Sequence, residues 1–275
     1  MPVQLACGHI VNDPYQTHYC TYLQLGTLLN LQPTHDSARH PDEHLFVIVH
    51  QVFELWFKQL RWDIPRLIVA LQEDNITVAT WLMQRCVAVV RQYTPVMRML
   101  DTLAPADFYE FRDALSPASG GESWQWHELE ILIGARDEAF RRQLEAGLSP
   151  TTTEGLQTHV WTDTLATLWE SPSVASAFDE MLTRRGLTGM DLYIAAPAPN
   201  PNGDIMILAE AMLDFDSEFR LWRFTHARTA ERTIGANPGT GLTTGVKYLD
   251  YAASRRLPFF PSLLEARAIL WERRG

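Results

Sequence analysis

Apolar residues recur along this chain at the three-to-four spacing of helices. About twenty residues without lasting periodicity give way to YLQLGTLLNLQ, whose leucines predict a short helix after an arm. A loop over 33–40 leads into PDEHLFVIVHQVFELWFKQLRWDIPRLIVALQ. There Pro41 at a first-turn position, with Asp42 and Glu43 beside it, marks a helix start. Leu45, Phe46, Val47, Ile48, Val49, Val52, Phe53, Leu55, Trp56 and Phe57 cover nearly the whole circumference, so this long helix is expected to be buried on most sides and bent at Pro65.

From Thr77 to Leu103 the pattern again reads as helix. Pro105 and Asp107 open a turn into FYEFRDALSPASGGES, and WQWHELEILIGA resumes helical spacing up to Gly134. Residues 135–203 are less legible, with helices expected near 139–144 and 174–185 before the loop-like AAPAPNPNGD. One pattern then runs from Ile205 to Ile234, stops at Gly235 and gives way to ANPGTGLTTG. No alternating β-branched segment competes, and no internal repeat is present. The expected architecture is an all-α helical bundle in one domain over 1–275, with residues 1–24 as an N-terminal arm.

Composition narrows the function by exclusion. The chain has 275 residues, 46% of them hydrophobic, which excludes disorder. Its 33 acidic and 23 basic side chains give a net charge of −10, the wrong sign for a phosphate backbone or an anionic lipid surface. Cys7, Cys20 and Cys86 are odd in number and lack CxxC spacing, so no disulfide framework or zinc site is expected. The N-terminus lacks a signal peptide's basic start and apolar run, and no segment approaches the roughly 20 apolar residues of a spanning helix. A soluble, cytoplasmic protein without nucleic-acid or membrane partners is expected.

Candidate chemistry lies in two histidines set in apolar stripes. His50 has Phe46 at i−4, Phe53 at i+3 and Phe57 at i+7. His226 follows Phe215, Phe219 and Trp222 on one stripe, with small Ala230 one turn beyond. Two such histidines suit haem, one ligating iron and the other overhanging the opposite face; the plain alternative is a core histidine bonded to a carbonyl. A two-histidine, one-carboxylate set for non-haem iron is not expected. His127 with Glu128 and Glu130 fits a solvated helix face equally well. Arg112, the one basic residue between Arg98 and Arg136, suits a carboxylate clamp or a salt bridge with Asp113 or Glu110. The PGTGLTTG loop offers backbone amides and the Thr240 hydroxyl but lacks the lysine of a phosphate loop.

Four segments in order carry a family resemblance: YCTYLQLGTLL, DEHLFVIVHQVFELWFK, FRDALSPASG and LWRFTHARTAERTIGANPGTGLTTG. Over nearly its whole length the chain resembles the tryptophan 2,3-dioxygenases, haem enzymes that open the indole ring of tryptophan. The resemblance implies haem b, with His226 as the proximal iron ligand and His50 as the distal catalytic histidine near the indole nitrogen. It implies that Arg112 and Thr240 bind the carboxylate and ammonium of the amino acid, that Phe46 walls the indole, and that Ser119 lies near haem and substrate. It further implies an intertwined homotetramer, in which Tyr19, Tyr22 and Leu23 reach a neighbouring subunit's site, and tryptophan and dioxygen as substrates.

Departures ring the substrate side. Phe108 stands where the family usually has a carboxylate-assisting tyrosine, and Gly121, Glu122, Trp126 and His127 replace phenylalanine, glutamine, tyrosine and arginine. Leu242 interrupts the GTGG loop. The expected activity is 2,3-dioxygenation of L-tryptophan or a substituted tryptophan. The alternatives are single-oxygen insertion, giving an oxindole or 3-hydroxyindoline, and a haem-binding gas sensor without turnover.

Overall fold

The computed structural model describes residues 3–4, 10–11, 16–116, 118–136, 138–146, 162–193, 200–240, 245–255 and 258–272. Its helices, in chain order, are α1 (His18–Tyr22), α2 (Leu25–Leu28), α3 (Pro41–Gln72), α4 (Ile76–Val90), α5 (Tyr93–Arg98), α6 (Pro105–Leu115) and α7 (Trp124–Ile133). They continue with α8 (Glu138–Ala146), α9 (Asp163–Glu170), α10 (Val174–Arg184), α11 (Gly203–Ile234), α12 (Val246–Arg255) and α13 (Pro261–Glu272). The all-α class holds. Among the described residues the one addition is a two-residue antiparallel pairing of β1 (Val3–Gln4) with β2 (Ile10–Val11), too short to leave an alternating pattern in sequence.

Two 32-residue helices, α3 and α11, organise the bundle, each about 48 Å long at 1.5 Å per residue. α4 packs against both, α7 and α10 pack on α3, and α5 and α12 pack on α11. Local chemistry sets the starts: the His40 ring accepts from the Asp42 amide (3.2 Å), Asn75 from Val78 (3.2 Å) and Ser123 from Trp126 (3.3 Å). α7 ends at Gly134, whose φ of +144° and contact with α10 both call for glycine. A Cβ there would lie 2.8 Å from that of Ala175. One large cluster of buried residues joins α3, α4, α10 and α11, and a smaller one gathers Ile131, Phe140, Leu144, Leu165 and Trp169.

Three expectations change. α3 is not buried on most sides: Leu55, Trp62 and Val69 are exposed, because α4, α7 and α10 cover one side of a helix whose early residues are apolar all round. As expected, it is one helix that runs on through Pro65 to Gln72. The helix read over 77–103 is three pieces, α4, α5 and a 3₁₀ turn at Met99–Thr102. Pro95 explains the break, since it has no N–H to give to the preceding turn and is tolerated where it stands, in the first turn of α5. Helices α9, α12 and α13 had no counterpart in the sequence reading.

Candidate functional site

A cavity of about 300 Å³ opens between α3, α6, α7 and α11. Each helix presents one stripe to it. α3 supplies Phe46, His50, Phe53, Glu54 and Phe57, and α11 supplies Trp222, Arg223, His226, Thr229, Ala230, Thr233 and Ile234. Both sets follow helical spacing, so a single face of each helix forms a wall. α6 adds Phe108 and Arg112, one turn apart; the turn before α7 adds Ser119, Gly120, Gly121 and Ser123. Gly239 and Thr240 close another side.

The His50 Nδ1 donates to the Phe46 carbonyl at 2.7 Å. A carbonyl only accepts, so Nδ1 carries the hydrogen and Nε2 keeps a lone pair. The ring's surface is accessible from the cavity, yet protein surrounds it closely enough that burial lowers its pKa, against the opposing effects of the Phe46 carbonyl and the Glu54 charge. His226 lies across the cavity on α11. Burial, and secondarily the nearby His50, bring its pKa down to about 4, so it is a neutral imidazole at ordinary pH. Its ring sits 5.8 Å from that of Trp222, and no described residue hydrogen-bonds it.

Arg112 makes no ion pair with Glu110 or Asp113 among the described residues; the salt-bridge alternative gives way to a different arrangement. The guanidinium donates to the Pro238 carbonyl and lies 5.6 Å from the Tyr109 ring centroid, leaving further N–H groups at the cavity. The Thr240 hydroxyl donates to the Ala118 carbonyl (2.8 Å), which leaves its oxygen able to accept from an ammonium. Ser119 accepts from the Gly121 amide (3.2 Å) while Glu122 accepts from the Ser119 amide (2.9 Å), a capping box on the Gly120–Glu122 turn. Phe108 packs against Phe46 (5.8 Å) and Phe111 (5.3 Å) without a polar atom.

Eight of the residues singled out in the sequence thus border one cavity: Phe46, His50, Phe108, Arg112, Ser119, Gly121, His226 and Thr240. Tyr19, Tyr22 and Leu23 do not; they stand exposed on and just after α1, Tyr22 at 88%. Leu242 lies outside the described residues. The solvated-face reading of His127 is overturned, since His127, Glu128 and Glu130 are all buried. The His127 Nε2 reaches the Gly121 carbonyl (2.7 Å), its Nδ1 approaches Glu130 (3.3 Å), and Arg223 donates to Glu130 (2.6 Å). Arg223, Glu130 and Glu54 escaped the sequence reading as cavity residues, whereas Trp126, expected near the substrate, does line it. The detectable signal was positional, because Arg223 falls one turn before His226 and Glu130 one turn after His127.

The donor chemistry fits haem. A neutral imidazole and a second one on different walls, between aromatic and aliphatic side chains, suit iron in a flat macrocycle. The cavity carboxylates are engaged elsewhere, Glu54 by Gln125 (2.8 Å) and Glu130 by Arg223 and His127, which disfavours a two-histidine, one-carboxylate iron site.

The model of the tryptophan 2,3-dioxygenase family matches residues 7–176 and 173–270. A tryptophan 2,3-dioxygenase of Herpetosiphon aurantiacus is 31% identical over 269 residues, covering 92% of this chain and 98% of that protein. Namesakes from Xanthomonas oryzae pv. oryzae and Xanthomonas campestris pv. campestris are each 32% identical, over 275 and 272 residues, covering 90% of this chain and 86% of theirs.

Proposed function

Because the chain belongs to the tryptophan 2,3-dioxygenase family, we propose that it is a haem-dependent oxygenase that inserts both atoms of dioxygen across the indole C2=C3 bond of tryptophan or a substituted tryptophan. The observation that carries this reading is the pairing of His226 and His50 on separate walls of one apolar cavity that also holds Arg112.

Haem, when bound, supplies the oxygen-activating redox chemistry. The neutral His226 ring would hold the haem iron through its free nitrogen. His50, with its hydrogen fixed on Nδ1 by Phe46, turns a lone pair on Nε2 to the indole N–H and orients the ring. Phe46 and Phe108 wall the indole and exclude water. Arg112 forks onto the carboxylate with the N–H groups that Pro238 leaves over, and the Thr240 oxygen accepts from the ammonium. Ser119 and Gly121 border the side chain of the substrate. Tyr19, Tyr22 and Leu23 complete a neighbouring subunit's pocket in a homotetramer; their exposure on a lone protomer supports this.

Substrate choice follows the departures. Gly121 has no side chain and Phe108 no hydroxyl, so the pocket accepts extra carbon on the ring or side chain. Two-atom transfer is preferred to single-oxygen insertion because the relatives are named dioxygenases. Reconstitution with haem, followed by turnover of L-tryptophan and a side-chain-methylated tryptophan under air with a reductant, tests the proposal. The absorbance of an N-formylkynurenine-type product is expected from both; a haem-loaded protein that converts neither contradicts it.

A further inference from the structure

The turn between α6 and α7 is held within itself by the Ser119–Glu122 capping box, which sets its local shape but not its place against the cavity. Its centre is Gly120–Gly121, two residues with the widest backbone freedom, and yet it carries Ser119 and Gly121 along the cavity. It is tied at both ends. Thr240 donates to the Ala118 carbonyl at 2.8 Å on one side, and the His127 Nε2 stands 2.7 Å from the Gly121 carbonyl on the other. The second tie is backed by charge. The His127 Nδ1 is 3.3 Å from one Glu130 oxygen, and the other accepts from Arg223 at 2.6 Å, all within the buried wall. Arg223 lies three residues before His226 on α11. A continuous path of hydrogen bonds therefore runs from the His226 helix, through Glu130 and His127, to the Gly121 carbonyl.

We infer that His127 is a positioning residue for substrate specificity: backed by Glu130 and Arg223, it fixes the Ser119–Gly121 edge of the cavity relative to the helix that bears His226. The inference rests on the reading of this cavity as the site for an indole amino acid. The Gly121 carbonyl can only accept, so Nε2 must donate. On its other side the ring sets Nδ1 against the Glu130 carboxylate at 3.3 Å. An arginine can make both bonds by its nature; a phenylalanine of similar volume makes neither.

The test compares haem-loaded wild type, His127→Phe and His127→Arg. His127→Phe is expected to raise KM for the indole amino acid about tenfold, the size of one well-made hydrogen bond, with kcat within about threefold and an unchanged haem absorption band. Backbone amides over 118–123 should exchange with solvent about tenfold faster. His127→Arg should return both KM and exchange towards wild type. Should His127→Phe fail to fold, His127→Gln takes its place, since its amide can donate to Gly121 but sets a carbonyl against Glu130. About threefold effects of the same pattern are then expected. Unchanged KM and exchange in the Phe (or Gln) variant, a His127→Arg variant as impaired as His127→Phe, or a fall in haem content and kcat at constant KM each overturns the inference. If the wild type converts no indole, the functional reading fails, while exchange over 118–123 in the same three proteins still decides whether His127 holds the turn.

Discussion

His50 and Phe46 act as one unit on the cavity wall. The imidazole Nδ1 donates to the Phe46 carbonyl one turn earlier at 2.7 Å, and the two rings lie 4.2 Å apart. The bond fixes the tautomer, and the ring contact fixes the imidazole beside an aromatic face. In the proposed arrangement, His50→Ala removes an acceptor for the substrate without touching the proposed iron ligand. It should retain full haem content and lower kcat/KM by roughly 10²- to 10⁴-fold, the usual range for a positioned acid or base. Steady-state kinetics beside the haem absorption band check this; unaltered kinetics would leave His50 a wall residue only.

His226→Ala should behave differently, because no other imidazole projects from its stripe on α11. Stoichiometric haem uptake should be abolished, read as loss of the Soret band. A full, unshifted band would remove His226 from the ligand role, and equal loss in the two alanine variants would indicate ligation by both histidines.

The depressed pKa of His226 has a pH signature. The folded ring stays neutral down to about 4, whereas an unfolded one takes up a proton near 6.5. Its contribution to stability is therefore present above about pH 6.5 and is lost as pH falls towards 4. Across that window protons barely compete with iron for the ring. Titration of the haem-free protein should give the same haem affinity at about pH 7 and pH 5; a fall of roughly thirtyfold between them would betray an ordinary imidazole.

Arg112, proposed to recognise a carboxylate, is free of any described acidic partner that would compete. Arg112→Ala should cost about 2–4 kcal/mol in kcat/KM for amino-acid substrates, while a methylindole, already a poor substrate, should be unaffected. Equal rates for methylindole and tryptophan would mean that the cavity does not recognise an amino acid.

Much of this site was legible because its residues fall on regular helices. His50 and His226 stand out as polar rings in apolar stripes, and Arg112 as an isolated base. Helical spacing alone brings Phe46 and His50, or Phe108 and Arg112, to one face. The His127–Glu130–Arg223 network was not legible. Histidine and glutamate three apart read equally well as a wet face, and their burial depends on α11, almost a hundred residues away, supplying Arg223 to Glu130. For the same reason α3 read as buried on most sides: its sequence records apolar character, but which side its neighbours cover is a tertiary fact. Pro95 lies inside the span that reads as one helix, where continuous apolar spacing on both sides masks the effect of its missing N–H.

The exposed Tyr19, Tyr22 and Leu23 lead to a prediction about assembly. Deleting residues 1–24 should reduce the oligomer and raise KM together, as read by light scattering and steady-state kinetics on one preparation. A truncated protein of unchanged size and affinity would show that the arm serves neither purpose.

The central claim, transfer of both atoms of dioxygen to an indole amino acid, is tested most directly by mass spectrometry of the product formed under ¹⁸O₂ by the haem-loaded protein. One ring-opened product that carries two labelled atoms is expected. A product with a single labelled atom and an intact ring, or no conversion by a protein with its full complement of haem, would contradict it.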